Sequence, residues 1–238
     1  MERYKGCKLD PEDSRDLRYS SARPVSLPLS VDLRPTPAIL DQGQAGTCVL
    51  NASAIAYMDL MLRENLFVDV PSRLFMRWIT AEYEGDEMKD AGVCIRDAIK
   101  MFAKYGACSE YEWPYDLTKI FVKPTIDCYY NAKKEKALEY RRVVGENDLK
   151  ACLAEGYGVI IGIPLDEYFE GDEMAQTGKG RMFDPTHAKG GHGVYLCGYN
   201  EDGWIIQNSW GTDWGMNGYF TLPYGYPFDD CWSLRKIG

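Results

Sequence analysis

The chain has 238 residues, of which 45% are hydrophobic and 26% are charged, values typical of a globular protein with a substantial core. Its 27 basic and 36 acidic residues give a formal net charge of −9, which argues against nucleic acid or an anionic membrane as a partner. The start, MERYKGCKLD, has no apolar segment like that of a signal peptide, and the longest apolar run, near 159–165, is too short to span a bilayer. We therefore expect a monomer that is intracellular or virion-associated, with the cytoplasm as the default location.

The chain contains eight cysteines, which are many for a protein in a reducing compartment. None of them forms a CxxC pair, so their spacing fits neither a zinc ribbon nor a thioredoxin-type motif. If one cysteine is a nucleophile, an odd number remains and cannot all pair, so we expect most of them to be reduced, buried residues. We expect no metal and no cofactor.

The first part of the chain is predicted to be an extended arm followed by helices. Residues 1–26, here called the arm, are rich in charge and proline and lack apolar periodicity. Apolar residues then recur at helical spacing in four segments, the first three of them before residue 130. The four segments are Cys48 to about Asn65, Ser72–Tyr83 with Ser72 as N-cap, Ile95–Tyr105 ended by Gly106, and Asp148–Glu155 ended by Gly156.

The later part of the chain has the pattern of strands. Its short β-branched or aromatic segments, separated by Gly, Asn and Asp, are GVIIGIPL, GHGVYLCGY, GWIIQNSW, GYFTLP and CWSLRKI. Early helices and late strands predict an α+β protein with a mainly helical lobe, residues 27–130, and a mainly β lobe, residues 131–238. A cleft between two such lobes is the usual place for a site.

The segment DQGQAGTCVL, residues 41–50, places Cys48 at the start of the first predicted helix. The helix dipole and the free backbone N–H groups at that end favour a thiolate and lower the pKa of a thiol. Cys48 is therefore a candidate nucleophile.

The two histidines differ in their surroundings. His192 begins a predicted strand after two glycines, where its ring can point into a cleft, whereas His187 lies in the polar loop DPTHAKG and fits a solvated surface residue. Taken alone, a histidine at a strand start is structural about as often as catalytic. Asn208, just past a strand in IIQNSWGTDWG, can accept the imidazole N–H and fix the ring without adding a charge, and Trp210 can shield that bond from water.

Gln42 precedes Cys48 by six residues, with two glycines between them. The glycines let the loop fold tightly, so the Gln42 amide and the Cys48 backbone N–H can both donate to an oxyanion on an attacked carbonyl. Spacing alone favours a different interpretation, a loop residue that caps the helix.

These motifs together resemble the papain-like cysteine peptidases. LPLSVDLRP is similar to the mature start of such enzymes, QGQAGTC to their Gln-to-Cys segment, and NSWGTDWGMNGYF to their most distinctive block. The interval of 16 residues from His192 to Asn208 is also that of papain. By this resemblance Cys48 is the nucleophile, His192 the base and acid, Asn208 the orienting residue and Gln42 the oxyanion donor.

The resemblance also implies a fold, a helical lobe and an antiparallel β-barrel-like lobe with the active-site cleft between them. Two departures concern the nucleophile segment, where Ala45 replaces a cysteine that is usually in a disulfide and Val49 replaces an aromatic residue. Both changes suit a reducing compartment. They make the pattern closest to the intracellular bacterial and viral members.

The resemblance extends to substrate binding. In the family a glycine-bearing segment binds the substrate backbone, and DAGVCIRDAIKMFAKYG fits that place, with GVIIGIPL as the opposite wall. The implied substrate-binding residues are Gly92, Val93, Ile95, Gly162, Gly191 and Trp210. Their apolar character suggests a hydrophobic or aromatic residue two positions before the scissile bond, although each could equally belong to the core.

Three functions are open. The first is a thiol endopeptidase that hydrolyses a peptide or protein substrate through a thioester. The second is an exopeptidase, isopeptidase or amidase on the same fold, which residues 171–189 would favour if they block one end of the cleft. The third is a non-catalytic binding module, against which the intact Cys, His, Asn and Gln set argues.

The arm is much shorter than the helical pro-segments common in the family, so an inhibitory arm would have to lie in the cleft itself. Such an arm would make the protein a zymogen. Cys7, the only cysteine of the arm, could then form a disulfide with Cys48 and act as a redox latch. The alternative is a free thiol on a disordered terminus.

Overall fold

The structure is a computed structural model that describes residues 6–20, 27–34, 38–66, 69–132 and 138–236. The helices of this described part are α1 Cys48–Arg63, α2 Arg73–Glu84, α3 Ile95–Tyr105, α4 Ile126–Ala132, α5 Glu146–Ala154 and α6 Asp172–Thr177. Its strands are β1 Cys7–Lys8, β2 Val31–Asp32, β3 Val93–Cys94, β4 Leu138–Arg142, β5 Val159–Asp166, β6 Ala188–Asn200, β7 Gly203–Gln207, β8 Tyr219–Leu222 and β9 Cys231–Lys236. Long helices early and long strands late confirm the predicted α+β class.

The three long helices follow the sequence prediction. All of α1 from Cys48 to Met61 is buried, so it forms the centre of the helical part. The Ser72 hydroxyl accepts the Phe75 N–H at 3.1 Å and caps α2 as predicted. Gly106, with a positive φ of 75°, ends α3. Local helix signals were sufficient here because α2 and α3 each bury one clear apolar face and α1 is a long run of helix-forming, mostly apolar residues.

The large sheet has seven strands in the order β4-β9-β5-β6-β7-β8, with β2 paired to β6. All of its pairings are antiparallel. In the central pair, Ile163 of β5 faces His192 of β6 and Gly162 faces Gly193. The sheet thereby carries the predicted histidine on its most extensively paired strand.

The start of α1 packs closely against β6. A Cβ atom at Gly193 would lie 2.9 Å from Val49 Cγ2, so only glycine allows the strand to approach the helix this closely. Since Gly193 follows His192 and Val49 follows Cys48, this contact brings the predicted histidine and the predicted nucleophile together.

The structure also contains pairings that the sequence analysis did not predict. β4 adds a strand beside β9, and β1 from the arm pairs in parallel with β3. Helices α1 to α3 fall within residues 27–130 and six strands of the large sheet within 131–238, while β2 joins that sheet from the earlier half. The exact domain boundaries stay a prediction. Within the residues that the structure describes, we find no helix with the length and apolarity needed to cross a bilayer.

Candidate active site

Cys48 is the first residue of α1 and is completely buried. Its sulfur accepts a hydrogen bond from the Gly193 N–H at 3.3 Å, so β6 supports the thiol directly. The helix start supplies further backbone N–H groups on the same side.

His192 and Asn208 form a buried pair. His192 Nε2 lies 2.8 Å from Asn208 Oδ1, and the Ser209 N–H donates to the same oxygen at 2.9 Å. The second bond fixes the asparagine, so the asparagine can fix the ring. Because Nε2 faces Asn208, proton exchange with a thiol would use the other ring nitrogen, Nδ1.

Trp210 covers this pair. Its ring lies 4.9 Å from the His192 ring, centroid to centroid, with an interplanar angle of 36°. Phe169 packs edge-on against Trp210 at 5.6 Å and lies 6.3 Å from the imidazole. The aromatic cover excludes water from the Asn208–His192 bond, as expected for Trp210. Its assignment as a substrate-binding residue stays a prediction.

Gln42 is fully buried and fixed at both ends of its amide. Its Nε2 donates to the Ala45 carbonyl at 2.8 Å, and its Oε1 accepts from the Ser209 hydroxyl at 2.8 Å. Its backbone N–H also donates to the Ser209 carbonyl at 2.9 Å. These bonds tie the loop before Cys48 to the residue after Asn208, so Gln42 joins the two halves of the candidate site.

Sequence reasoning missed several residues that hold the loop between Gln42 and Cys48. The Tyr115 hydroxyl donates to the Gln42 carbonyl at 2.9 Å, and the Asp90 carboxylate accepts the Gly46 N–H at 3.0 Å. No local motif marks either residue, because both reach the loop from distant parts of the chain.

The thiol environment differs from the sequence expectation. Burial raises the pKa of the Cys48 thiol, while backbone N–H groups of Gly193 and Gly6 oppose that rise. The expected lowering by the helix start is therefore outweighed while the site is covered. Residue Gly6 belongs to the arm, so the cover is supplied partly by the chain itself.

Residues 6–8 lie against most of the predicted substrate-binding residues. The Val93 N–H donates to the Gly6 carbonyl at 2.9 Å, and Cys7 pairs with Val93. A Cβ atom at Gly92 would lie 2.2 Å from the Gly6 oxygen, and one at Gly191 would lie 2.6 Å from the Cys7 oxygen. Three residues predicted to bind substrate, Gly92, Val93 and Gly191, thus contact the backbone of this segment.

Cys7 points to the other predicted pocket residues. Its sulfur lies 3.3 Å from the position that a Cβ atom at Gly162 would take, and Ile95 Cδ1 lies 3.5 Å from the same position. Burial and the neighbouring Cys48 raise the pKa of the Cys7 thiol well above its ordinary range. Both cysteines are free thiols in the structure, so the Cys7–Cys48 latch stays a prediction.

The continuation of the arm is anchored by charge and hydrogen bonds. Lys8 Nζ lies 2.8 Å from Glu84 Oε2. The Asp10 carboxylate accepts from the Trp232 indole N–H at 2.6 Å and from the Arg96 backbone N–H at 3.0 Å. Since these partners belong to α2, β9 and α3, the arm is tied to both parts of the fold.

One group of described side chains has the spacing of metal ligands. The ligand atoms of Glu84, Cys94 and Asp97 lie within 4.8 Å of one another. Glu84 already accepts from Lys8 at 2.8 Å and from the Cys94 N–H at 2.9 Å, and the Cys94 thiol donates to the Leu9 carbonyl at 3.3 Å. We therefore interpret this group as part of the arm's anchorage.

His187 lies apart from this arrangement. It is exposed in a short turn. The Asp184 carboxylate lies 2.9 Å from His187 Nδ1, and the hydrogen bond between them raises the pKa of the imidazole. A solvated residue was expected at this position.

Comparison with known proteins agrees with the geometry. A sequence model of the papain family cysteine proteases matches residues 27–231. A peptidase C1-like protein of Acanthamoeba polyphaga mimivirus is 35% identical over 216 residues, which cover 83% of this chain and 70% of that protein. Procathepsin L of Felis catus is 30% identical over 217 residues, but these cover 83% of this chain and only 61% of procathepsin L.

A solved structure gives the same result. Xylellain, a cysteine protease from Xylella fastidiosa, superposes with a TM-score of 0.88 at 33% identity, over 100% of this chain and 99% of that chain. The papain-like fold and the cysteine-type peptidase class predicted from the motifs are thereby confirmed. The chain belongs to the papain family of cysteine proteases.

Proposed function

We propose that the chain is a thiol endopeptidase that cleaves peptide bonds through a thioester intermediate. The observation that carries the proposal is the His192–Asn208 bond of 2.8 Å beside the buried Cys48 thiol. A binding module would have no need to fix an imidazole in this way next to a cysteine at a helix start.

The reaction follows from the roles of these groups. The Cys48 thiol transfers its proton to His192, and the thiolate attacks the substrate carbonyl carbon. The resulting oxyanion would be stabilised by the Gln42 amide and the Cys48 backbone N–H. The imidazolium then protonates the leaving amine as the C–N bond breaks, which leaves a thioester on Cys48.

Water completes the cycle. His192 removes a proton from the attacking water, and a second oxyanion collapses with cleavage of the C–S bond. The carboxylic acid leaves and the proton returns to the Cys48–His192 pair. Throughout, Asn208 keeps the ring oriented, and the Trp210 cover protects that orientation from competing water.

Part of the segment 171–189 is held against β8. Gly180 donates to the Thr221 carbonyl and Thr221 donates to the Gly178 carbonyl, each at 2.8 Å. Residues 188 and 189 instead begin β6, whose Gly191 lies against Cys7, so the choice between endopeptidase and exopeptidase rests on the fragment mapping below.

The endopeptidase proposal is tested by labelling and by fragment mapping. The reduced full chain, with its arm released by the Gly6→Ala substitution described below, is incubated with a general epoxide inhibitor of cysteine peptidases, and the adduct is located by mass spectrometry. We expect labelling of Cys48 and, in the uninhibited protein, fragments of an unfolded protein substrate that arise from internal cuts. Labelling of another cysteine would refute the nucleophile, and release of terminal residues only would refute the endopeptidase.

We also propose that the arm keeps the enzyme in an inactive, zymogen state. The support is that residues 6–8 contact Val93, Gly162 and Gly191, which the family resemblance assigns to substrate binding. A substrate would have to displace these contacts before its carbonyl carbon could reach Cys48.

The substitution Gly6→Ala, which adds a single methyl group, is expected to release the arm. A Cβ atom at Gly6 would lie 2.2 Å from the Gly46 carbonyl oxygen, and backbone cannot easily move away. Overpacking of this kind costs about 1–3 kcal/mol, so Gly6→Ala should weaken docking by roughly 5- to 150-fold. While most molecules stay docked, peptide hydrolysis by the full chain should rise by the same factor.

The control for Gly6→Ala is Ser14→Ala, because Ser14 is an exposed residue of the same arm. This control should leave the rate unchanged. Release also removes burial from Cys48, so its pKa should fall and its alkylation should begin at lower pH in Gly6→Ala. Equal rates and equal pH profiles in Gly6→Ala and the parent chain would rule out the zymogen proposal.

A further inference from the structure

We propose that Tyr115 is a positioning residue that sets the distance between the two oxyanion donors; this rests on the function proposed above. Tyr115 lies in the segment between α3 and α4, far from the active-site residues in sequence. Its hydroxyl contacts both ends of the loop that joins Gln42 to Cys48. It donates to the Gln42 carbonyl at 2.9 Å and lies 2.5 Å from the hydroxyl of Thr47, the residue before the nucleophile.

The direction of these hydrogen bonds is determined by their partners. The Gln42 carbonyl can only accept, so the Tyr115 hydroxyl donates to it and must accept from Thr47. The Thr47 hydroxyl in turn accepts from Asn51 Nδ2 at 3.2 Å. The result is a continuous chain of donors from α1 through Thr47 and Tyr115 to Gln42, in which each bond strengthens the next.

The Tyr115 ring is itself held in place by Arg73. The guanidinium carbon lies 3.6 Å from the ring centroid, and Arg73 is buried. Two nitrogens of Arg73 bond to the Glu110 carboxylate at 2.9 and 2.7 Å, and its third donates to Asn51 Oδ1 at 2.7 Å. The same nitrogen donates to the Asp41 carbonyl at 3.1 Å.

These contacts lie beside the two proposed oxyanion donors. One donor, the Gln42 amide, belongs to the residue whose carbonyl Tyr115 holds, and the other, the Cys48 N–H, follows Thr47, whose side-chain hydroxyl Tyr115 contacts. A hydroxyl that bridges the loop fixes their separation without touching the substrate. Tyr115 therefore acts through Gln42 and Thr47, and its removal should affect transition-state stabilisation more than substrate binding.

The test is Tyr115→Phe in the full chain that also carries Gly6→Ala, so that the arm does not limit turnover. Loss of the hydroxyl keeps the ring beneath Arg73. We expect kcat to fall about tenfold, with KM changed less than threefold. This fall is smaller than the loss caused by removing an oxyanion donor, because both donors are still present. Binding of a peptide aldehyde, which forms an oxyanion on Cys48, should weaken by a similar factor.

Alkylation of Cys48 by iodoacetamide supplies the distinguishing readout. That displacement forms no oxyanion, so its rate should stay within twofold of the Gly6→Ala parent. The matched control is Tyr195→Phe, which also removes a buried hydroxyl, one that donates to Asp59 at 2.6 Å. This control should leave kcat and aldehyde binding unchanged.

Two results would overturn the positioning role. One is unchanged kcat and aldehyde affinity in Tyr115→Phe. The other is a parallel fall of alkylation with kcat, which would indicate a general distortion of the site. The proposed function fails differently, by absence of hydrolysis in the Gly6→Ala parent, and aldehyde binding would still report on Tyr115 in that case.

Discussion

In the chain that carries Gly6→Ala, replacement of Cys48 by alanine is expected to abolish peptide hydrolysis, with a loss on the order of 10⁴–10⁶ in kcat. The thiolate is the only group of the proposed mechanism that bonds to the substrate. His192, Asn208 and Gln42 would remain in place, since their mutual hydrogen bonds do not include the sulfur. The residual activity would be slow hydrolysis by water, assisted only by the oriented hydrogen-bond donors.

The same substitution should leave the fold intact. Cys48→Ala removes one buried atom, and the Gly193 N–H loses the acceptor that the sulfur provides. A buried donor left without this acceptor costs about 1–3 kcal/mol, less than the roughly 5–15 kcal/mol by which domains are stable. A thermal unfolding curve and a kinetic assay on the same sample separate the two effects.

Cys197→Ala is the matched control. Cys197 is also a fully buried free thiol, and it bonds to the Ile205 carbonyl at 3.4 Å, inside the sheet. It should lose a similar amount of stability and keep its activity. Hydrolysis within tenfold of the parent in Cys48→Ala would exclude Cys48 as the nucleophile.

The site could be located from sequence because its signals are local. Cys48 begins α1, a run of helix-forming residues, and Asn208 directly follows β7 as predicted, whereas His192 lies inside β6, which begins at Ala188 and not at the histidine. Each signal therefore specifies the element that carries the residue. What brings the elements together is the Gly193–Val49 contact, which becomes visible only in three dimensions.

Other features depend on contacts between distant segments and could not be read locally. β4 has the sequence LEYRR, which lacks the apolar character of the other strands because its exposed face carries charges. Its strand structure comes from pairing with β9. The raised pKa of Cys48 has a similar origin, since the helix start was visible in sequence but the burial under Gly6 was not.

Tyr115 and Arg73 show the same limit for function. Both residue types are common, and neither lies in a recognisable motif. Their importance follows from side-chain contacts that span 73 residues between Tyr115 and Gln42. A single sequence contains no signal for such a bridge.

In the same Gly6→Ala background, Gln42→Ala is expected to lower kcat by roughly 10²–10³, the usual effect of removing one oxyanion donor. The sequence alone suggests little cost in stability, and the structure changes that expectation. The Gln42 amide is buried between the Ala45 carbonyl and the Ser209 hydroxyl, and both would lose a partner. Each unsatisfied group costs about 1–3 kcal/mol, so the melting temperature should fall as well.

A second substitution separates the effect of losing the hydrogen-bond donor from the effect of losing side-chain packing. Gln42→Glu keeps the shape of the side chain and an oxygen that can accept from Ser209, and at a pH where the carboxylate is ionised it has no hydrogen to donate. Both variants should therefore lose kcat to a similar extent, while iodoacetamide alkylation of Cys48, which forms no oxyanion, persists in the folded protein. If either variant is folded and its kcat lies within tenfold of the parent, Gln42 is a loop residue that caps the helix region, and the oxyanion must be stabilised by backbone donors alone.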